Sequence, residues 1–101
     1  MNQVLELVSF KLKPNASATQ FTDANKTVET WLRQQGGFVS RHLCENDNGT
    51  WHDVVIWQNG ELAQAAAESF MRELCDSEFM AMIDSTDVVM THSRVAATLR
   101  P

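Results

Sequence analysis

The sequence predicts an α+β domain built as a four-stranded antiparallel sheet in the split β-α-β-β-α-β (ferredoxin-like) order, with both helices on one face. Three observations carry that expectation. Period-two alternation of apolar residues marks strands near 3–13, 38–45, 51–57 and 87–98. Helical periodicity fills the two longer gaps, 18–35 and 61–75. Asn48-Gly49, whose residues both tolerate positive φ, joins the second and third strands as a hairpin.

Each element has its own signature. QVLELVSFKLK alternates, with Val4, Glu6, Val8, Phe10 and Leu12 on one side, and Pro14 ends it. Ser17 and Gln20 have capping-box spacing, and Phe21, Ala24, Val28, Trp31 and Leu32 form the buried stripe of the first helix. Gly36-Gly37 stops it. FVSRHLCE is the second strand, with Phe38, Ser40, His42 and Cys44 on one face. WHDVVIW is the third, and its alternation sets Trp51, Asp53, Val55 and Trp57 on one side. Asn59 caps a second helix from about Glu61 to Cys75, striped by Leu62, Ala66, Phe70 and Leu74. A short turn (EFMAMI) and a loop at Asp84-Ser85-Thr86 lead to the last strand, where Met90, His92 and Arg94 share a face.

Size and charge narrow the function. A chain of 101 residues is expected to be a single domain spanning 1–101, and 44% apolar with 21% charged residues is ordinary for a globular protein. A net charge of −5 without a basic run disfavours nucleic acid and anionic membrane as partners. No apolar stretch approaches the roughly 20 residues that span a bilayer. The first residues read straight into a strand, without signal-peptide architecture, so a cytoplasmic protein is expected. The sequons at Asn15, Asn25 and Asn48 then read as chance matches, and Cys44 and Cys75 as buried free thiols. His42, His52 and His92 lack ligand spacing on one element, so no metal is expected. Nor is any cofactor: there is no glycine-rich phosphate loop, and the chain is short for a doubly wound nucleotide fold.

The layout resembles a known superfamily. An opening strand VLELVSFKLKP, a helix ending at Gly37-Phe38, a strand ending in Trp57 and a helix of the form ELAQAAAE stand in one order from Val4 to Val95. That order resembles the dimeric α/β-barrel superfamily, especially its antibiotic-biosynthesis-monooxygenase-like and stress-responsive branches. The resemblance implies a homodimer whose two sheets pack face to face as a barrel, each protomer enclosing a small cavity between its sheet and helices or toward the barrel, with a small apolar or aromatic molecule as the candidate ligand. Two branches fit poorly in detail. Trp57 stands where the haem-degrading branch has Trp, but Val8 and Ala67 stand where it has Asn and His. Glu6 stands at about the position of the base of the polyketide-cyclase branch, which is a His there.

The expected helix-free face holds Val8, Phe10, Leu12, Phe38, Val55 and Trp57, an apolar patch that a second copy would cover. The same face gathers Glu6, His42, Asp53, Trp57, His92 and Arg94. His92, Glu6 and Asp53 are the candidate catalytic groups: imidazole titrates in the useful range, and a carboxylate in a Trp-lined apolar site can serve as a base. Trp57, His42, Arg94 and Phe10 would contact the substrate. Plainer roles compete with these. Glu6 and Arg94 can form a cross-strand ion pair, Asp53 can accept from His42 or a backbone amide, and Trp57 can be a core or interface anchor. Two functions follow: a cofactor-independent oxygenase or cyclase of an aromatic or polyketide-like molecule, or a non-enzymatic ligand-binding or interaction module of the same fold.

Overall fold

A computed structural model describes residues 2–101. Seven elements follow in order: β1 (Val4–Leu12), α1 (Ala18–Arg33), β2 (Phe38–Glu45), β3 (Thr50–Trp57), α2 (Gly60–Leu74), α3 (Glu78–Ala81) and β4 (Ile83–Arg94). The sheet is antiparallel in the order β2-β3-β1-β4, the split arrangement expected, with β1 and β3 central. The Asn-Gly hairpin also forms: Gly49 has φ 85°, and the Asn46 side chain accepts from the N–H groups of Asn48 and Thr50.

The helices start where their caps dictate. Ser17 accepts from the Gln20 N–H at 3.1 Å, Asn59 from the Leu62 N–H at 2.9 Å and Ser77 from the Met80 N–H at 3.2 Å. The stripe of α1 is buried as read, and Phe21 is the centre of the core, at 0% exposure. Its ring lies 5.7 Å from Phe10, 4.9 Å from Trp51 and 4.4 Å from Phe79, so four aromatics from four elements meet there. Between the helices, the Trp31 indole N–H and the Ser69 hydroxyl both donate to Glu73. Those two bonds, the hydroxyl's first, hold the Glu73 carboxyl below its ordinary range.

Gly37 fixes the entry to the sheet. Its φ is 88°, and a Cβ there would lie 2.5 Å from Leu62 Cδ1. Gly37→Ala is therefore expected to cost about 1–3 kcal/mol in urea unfolding. At Gly36 nothing lies within 4 Å of where a Cβ would stand. Gly36→Ala is expected to change stability by less than about 0.5 kcal/mol.

The structure corrects the sequence reading in four places. The covered face of the sheet is the opposite one from that expected. Phe10, Trp51, Val55 and Trp57 are buried against Phe21, Trp31, Ala63 and Phe79 of the helices. Cross-strand partners share a face, and Val4, Glu6, Val8 and Phe10 stand opposite Trp57, Val55, Asp53 and Trp51. The apolar side assigned to a second copy is thus the protein's own core. The exposed side carries Leu5, Leu7, Val54 and Ile56, with Val89 58% exposed at its edge. Second, an irregularity between Phe38 and Ser40 lets Phe38 join the face of Trp57 while Ser40 and His42 take the other.

Third, β4 begins at Ile83 and ends at Arg94, several residues earlier than the pattern suggested. Its ladder skips from Val89 to Asp84. Asp84 there accepts from the backbone N–H and hydroxyl of Thr86, which hold its carboxyl below the ordinary range. Fourth, Cys44 and Cys75 are free but exposed, not buried. No helix of the described residues is long and apolar enough to cross a membrane.

Candidate functional site

Most of the candidate side chains lie on the helix-covered face, set there by strand register. One row across the four strands reads Arg41, Val55, Glu6, His92. The next reads Leu43, Asp53, Val8, Met90, and the row on the other side Phe38, Trp57, Val4, Arg94. With strands about 4.8 Å apart, the row places Arg41 and His92 roughly 14 Å apart at opposite edges of the sheet.

Two hydrogen-bonded polar pairs form on this face. Glu6 and His92 face each other across β1 and β4, with Oε2 and Nε2 2.7 Å apart. Their side chains are 12% and 32% exposed. A carboxylate only accepts, so it selects the tautomer carrying hydrogen on Nε2. That leaves the Nδ1 lone pair for other work. The pair is thus an oriented imidazole, open to solvent on one side. Glu6 was expected to pair with Arg94, but Arg94 stands one row away, opposite Val4.

The second pair is Asp53 with Arg41. The Nε and Nη2 groups of Arg41 donate side-on to the two Asp53 oxygens, each at 2.8 Å, and Nη1 donates to Asn25 Oδ1 of α1. The guanidinium lies 5.8 Å from the Phe79 ring centroid. The Arg41 side chain is 7% exposed, so the charge is desolvated and Asp53 compensates it. Asn25 is 9% exposed and bonded, which closes its sequon to a glycan.

The remaining candidates scatter. Phe10 and Trp57 are core residues at 2% exposure, and the Trp57 indole N–H is buried with no hydrogen-bond partner. His42 lies exposed on the opposite, uncovered face, across from Val54. His52 is also there, not on the helix side, and its Nδ1 lies 3.0 Å from the Ser9 hydroxyl. Among the described residues no three His, Cys, Asp or Glu side chains are placed to hold a metal ion. A cleft of about 320 Å³ opens between α1 and β2, and another of about 300 Å³ lies by Trp51 and the start of α1. Neither is lined by Glu6, Trp57 or His92.

Sequence reasoning missed Arg41 and Asn25. The signal was present: Arg41 sits at the parity of Leu43, a basic residue on an inward-facing row. A buried arginine needs an acid, and Asp53 is the acid on the facing strand.

No protein-family model and no curated protein matches the chain. Solved structures do. SnoaB, a cofactor-independent oxygenase from Streptomyces nogalater, is 13% identical with TM-score 0.78, covering 100% of both chains. A monooxygenase from the ActVA-Orf6 gene of Streptomyces coelicolor, in complex with nanaomycin D, is 14% identical with TM-score 0.74 over 99% of this chain and 93% of that one. A protein of unknown function from Nitrosomonas europaea is 15% identical with TM-score 0.71, over 100% and 96%. The chain shares the fold of these structures.

Proposed function

We propose that the protein is a cofactor-independent oxygenase of an electron-rich aromatic or polyketide-like molecule, with His92 as base and Glu6 as the group that orients it. The observation that carries this reading is the 2.7 Å Glu6–His92 pair, on a fold shared with SnoaB, a cofactor-independent oxygenase. His92 Nδ1 takes the proton from an acidic ring CH₂ or phenol. The carbanion gives electrons to O₂ and forms a C–O bond, and the peroxide returns to the neutral hydroperoxide with the His92 proton. Loss of the second C–H proton breaks the O–O bond and releases water. The balance is CH₂ plus O₂ to C=O plus H₂O, and no further oxidant enters.

The indole N–H of Trp57 on the same face is buried without a hydrogen-bond partner. The test is oxygen uptake on anthrone-type substrates by purified protein free of metal and flavin. Stoichiometric uptake with quinone formation supports the reading; no uptake above the spontaneous rate sinks it. A non-enzymatic binding role is favoured by a different observation: the clefts lie away from the pair.

The protein acts as a homodimer in this proposal. Leu5, Leu7, Val54 and Ile56 form an apolar centre on the uncovered face, suited to a second copy of the same sheet. Val54→Arg should place an unpaired charge at that seam. Sedimentation at micromolar concentration is expected to give a dimer for the unaltered protein and a monomer for the variant. A monomer in both cases removes the barrel.

A further inference from the structure

We infer that the cleft between α1 and β2 is a second small-molecule site, for a planar aromatic hydroxy-acid, distinct from the Glu6–His92 pair. Its floor and rim come from one stripe of α1 and one edge of the sheet. Asn25, Glu29 and Arg33 recur every four residues along α1 and face Phe38, Arg41 and Leu43 of β2 across about 320 Å³.

The floor is rich in N–H donors. A guanidinium has five N–H groups. Asp53 takes two of those on Arg41 and Asn25 takes one, leaving two. The Asn25 amide gives its oxygen to Arg41, and its NH₂ takes no partner among the described residues. Both side chains line the cleft, and both are largely buried, Arg41 at 7% and Asn25 at 9% exposure. Desolvated donors of this kind suit an oxyanion, and a carboxylate accepts several at once.

Charge sets the rest of the match. Asp53 already neutralises Arg41, so the free charges at the mouth are Arg33 and Glu29, both on exposed residues of α1. Arg33 adds a cation for the carboxylate. Glu29 accepts only, and so calls for a hydroxyl beside it. The walls are apolar: Phe38 and Leu43 offer a ring and a branched chain to an aromatic plane. A phosphate or metal would leave those walls unused.

The test uses 3-hydroxy-2-naphthoate and its methyl ester, titrated by calorimetry into the full chain, with amide shift mapping by NMR. The acid is expected to bind, with shifts centred on residues 25–33 and 38–43. The ester and the Arg33→Gln variant should each weaken binding by about tenfold, the worth of one charge-assisted contact. Arg33 is exposed, so its variant folds, and circular dichroism checks that. His92→Gln should bind the acid unchanged, because His92 lies at the other edge of the sheet. No binding at millimolar acid overturns the site. So do equal affinities of acid and ester, an unaltered Arg33→Gln, or loss of binding in His92→Gln. Loss of binding in His92→Gln would place the acid at the dyad instead; the other results leave the oxygenase reading, which rests on the dyad, untouched.

Discussion

Turnover of the His92→Gln variant is expected to fall about 10²–10⁴-fold, while its unfolding free energy changes by less than about 1 kcal/mol. The two expectations come from one fact. The Glu6–His92 pair is hydrogen-bonded at 2.7 Å but half-open, with His92 32% exposed. His92 is partly solvated, and the variant leaves the Glu6 carboxylate, 12% exposed, with a hydrogen-bond donor, so little stability is lost. An oriented imidazole contributes much to proton transfer. Glutamine keeps the size and a hydrogen bond to Glu6 but offers no basic nitrogen. Glu6→Gln should cost less, because the amide oxygen still accepts from Nε2 while the charge that stabilises an imidazolium is gone. Measuring oxygen uptake and thermal midpoint on the same preparations separates the cases. Unchanged turnover in both variants removes the dyad from the chemistry. A large loss of melting temperature makes it a structural pair.

Arg41→Leu should be the most destabilising surface-adjacent change, at about 3 kcal/mol or more. For a domain of this size that is a fall of roughly 12–24 °C in melting temperature. The guanidinium ties three elements: Asp53 of β3, Asn25 of α1 and, by its face, Phe79 of α3. Removing it leaves Asp53, whose side chain is 15% exposed, with a charge and no partner. The double variant Arg41→Leu, Asp53→Leu should recover part of the loss, since both charges then leave together. Calorimetry of the single and double variants decides. A loss below about 1 kcal/mol in the single variant means that water reaches the pair and that it behaves as a surface bridge.

The elements were legible because their signals are local. Caps at Ser17 and Asn59, the Asn-Gly turn and the stops at Pro14 and Gly37 each act within a few residues. The choice of covered face was not local. β1 is apolar on both sides, Val4, Val8 and Phe10 against Leu5 and Leu7, so alternation alone does not say which side meets the helices. The size of the side chains does: Phe10, Trp51 and Trp57 are the bulk that fills a helix-sheet core, whereas the apolar residues at the centre of the uncovered side, Leu5, Leu7, Val54 and Ile56, are all aliphatic. The irregularity at Phe38 shifted half of β2 to the opposite face and so separated His42 from the other candidates. Of the catalytic candidates, Glu6 and His92 were named individually, but their pairing needed the β1–β4 register, which no short-range pattern encodes.

The two-sided apolar character of β1 has a cost during folding. A strand displaced by one residue turns every side chain over. For most amphipathic strands that error exposes the hydrophobic set and corrects itself. Here it would swap one greasy side for another. What changes sharply is the polar group: Glu6 would leave His92 and land among Leu5 and Leu7's present neighbours, Val54 and Ile56. A single carboxylate on the central strand thus penalises the misaligned sheet, and acts as a proofreading mark on chain assembly as well as a partner for His92.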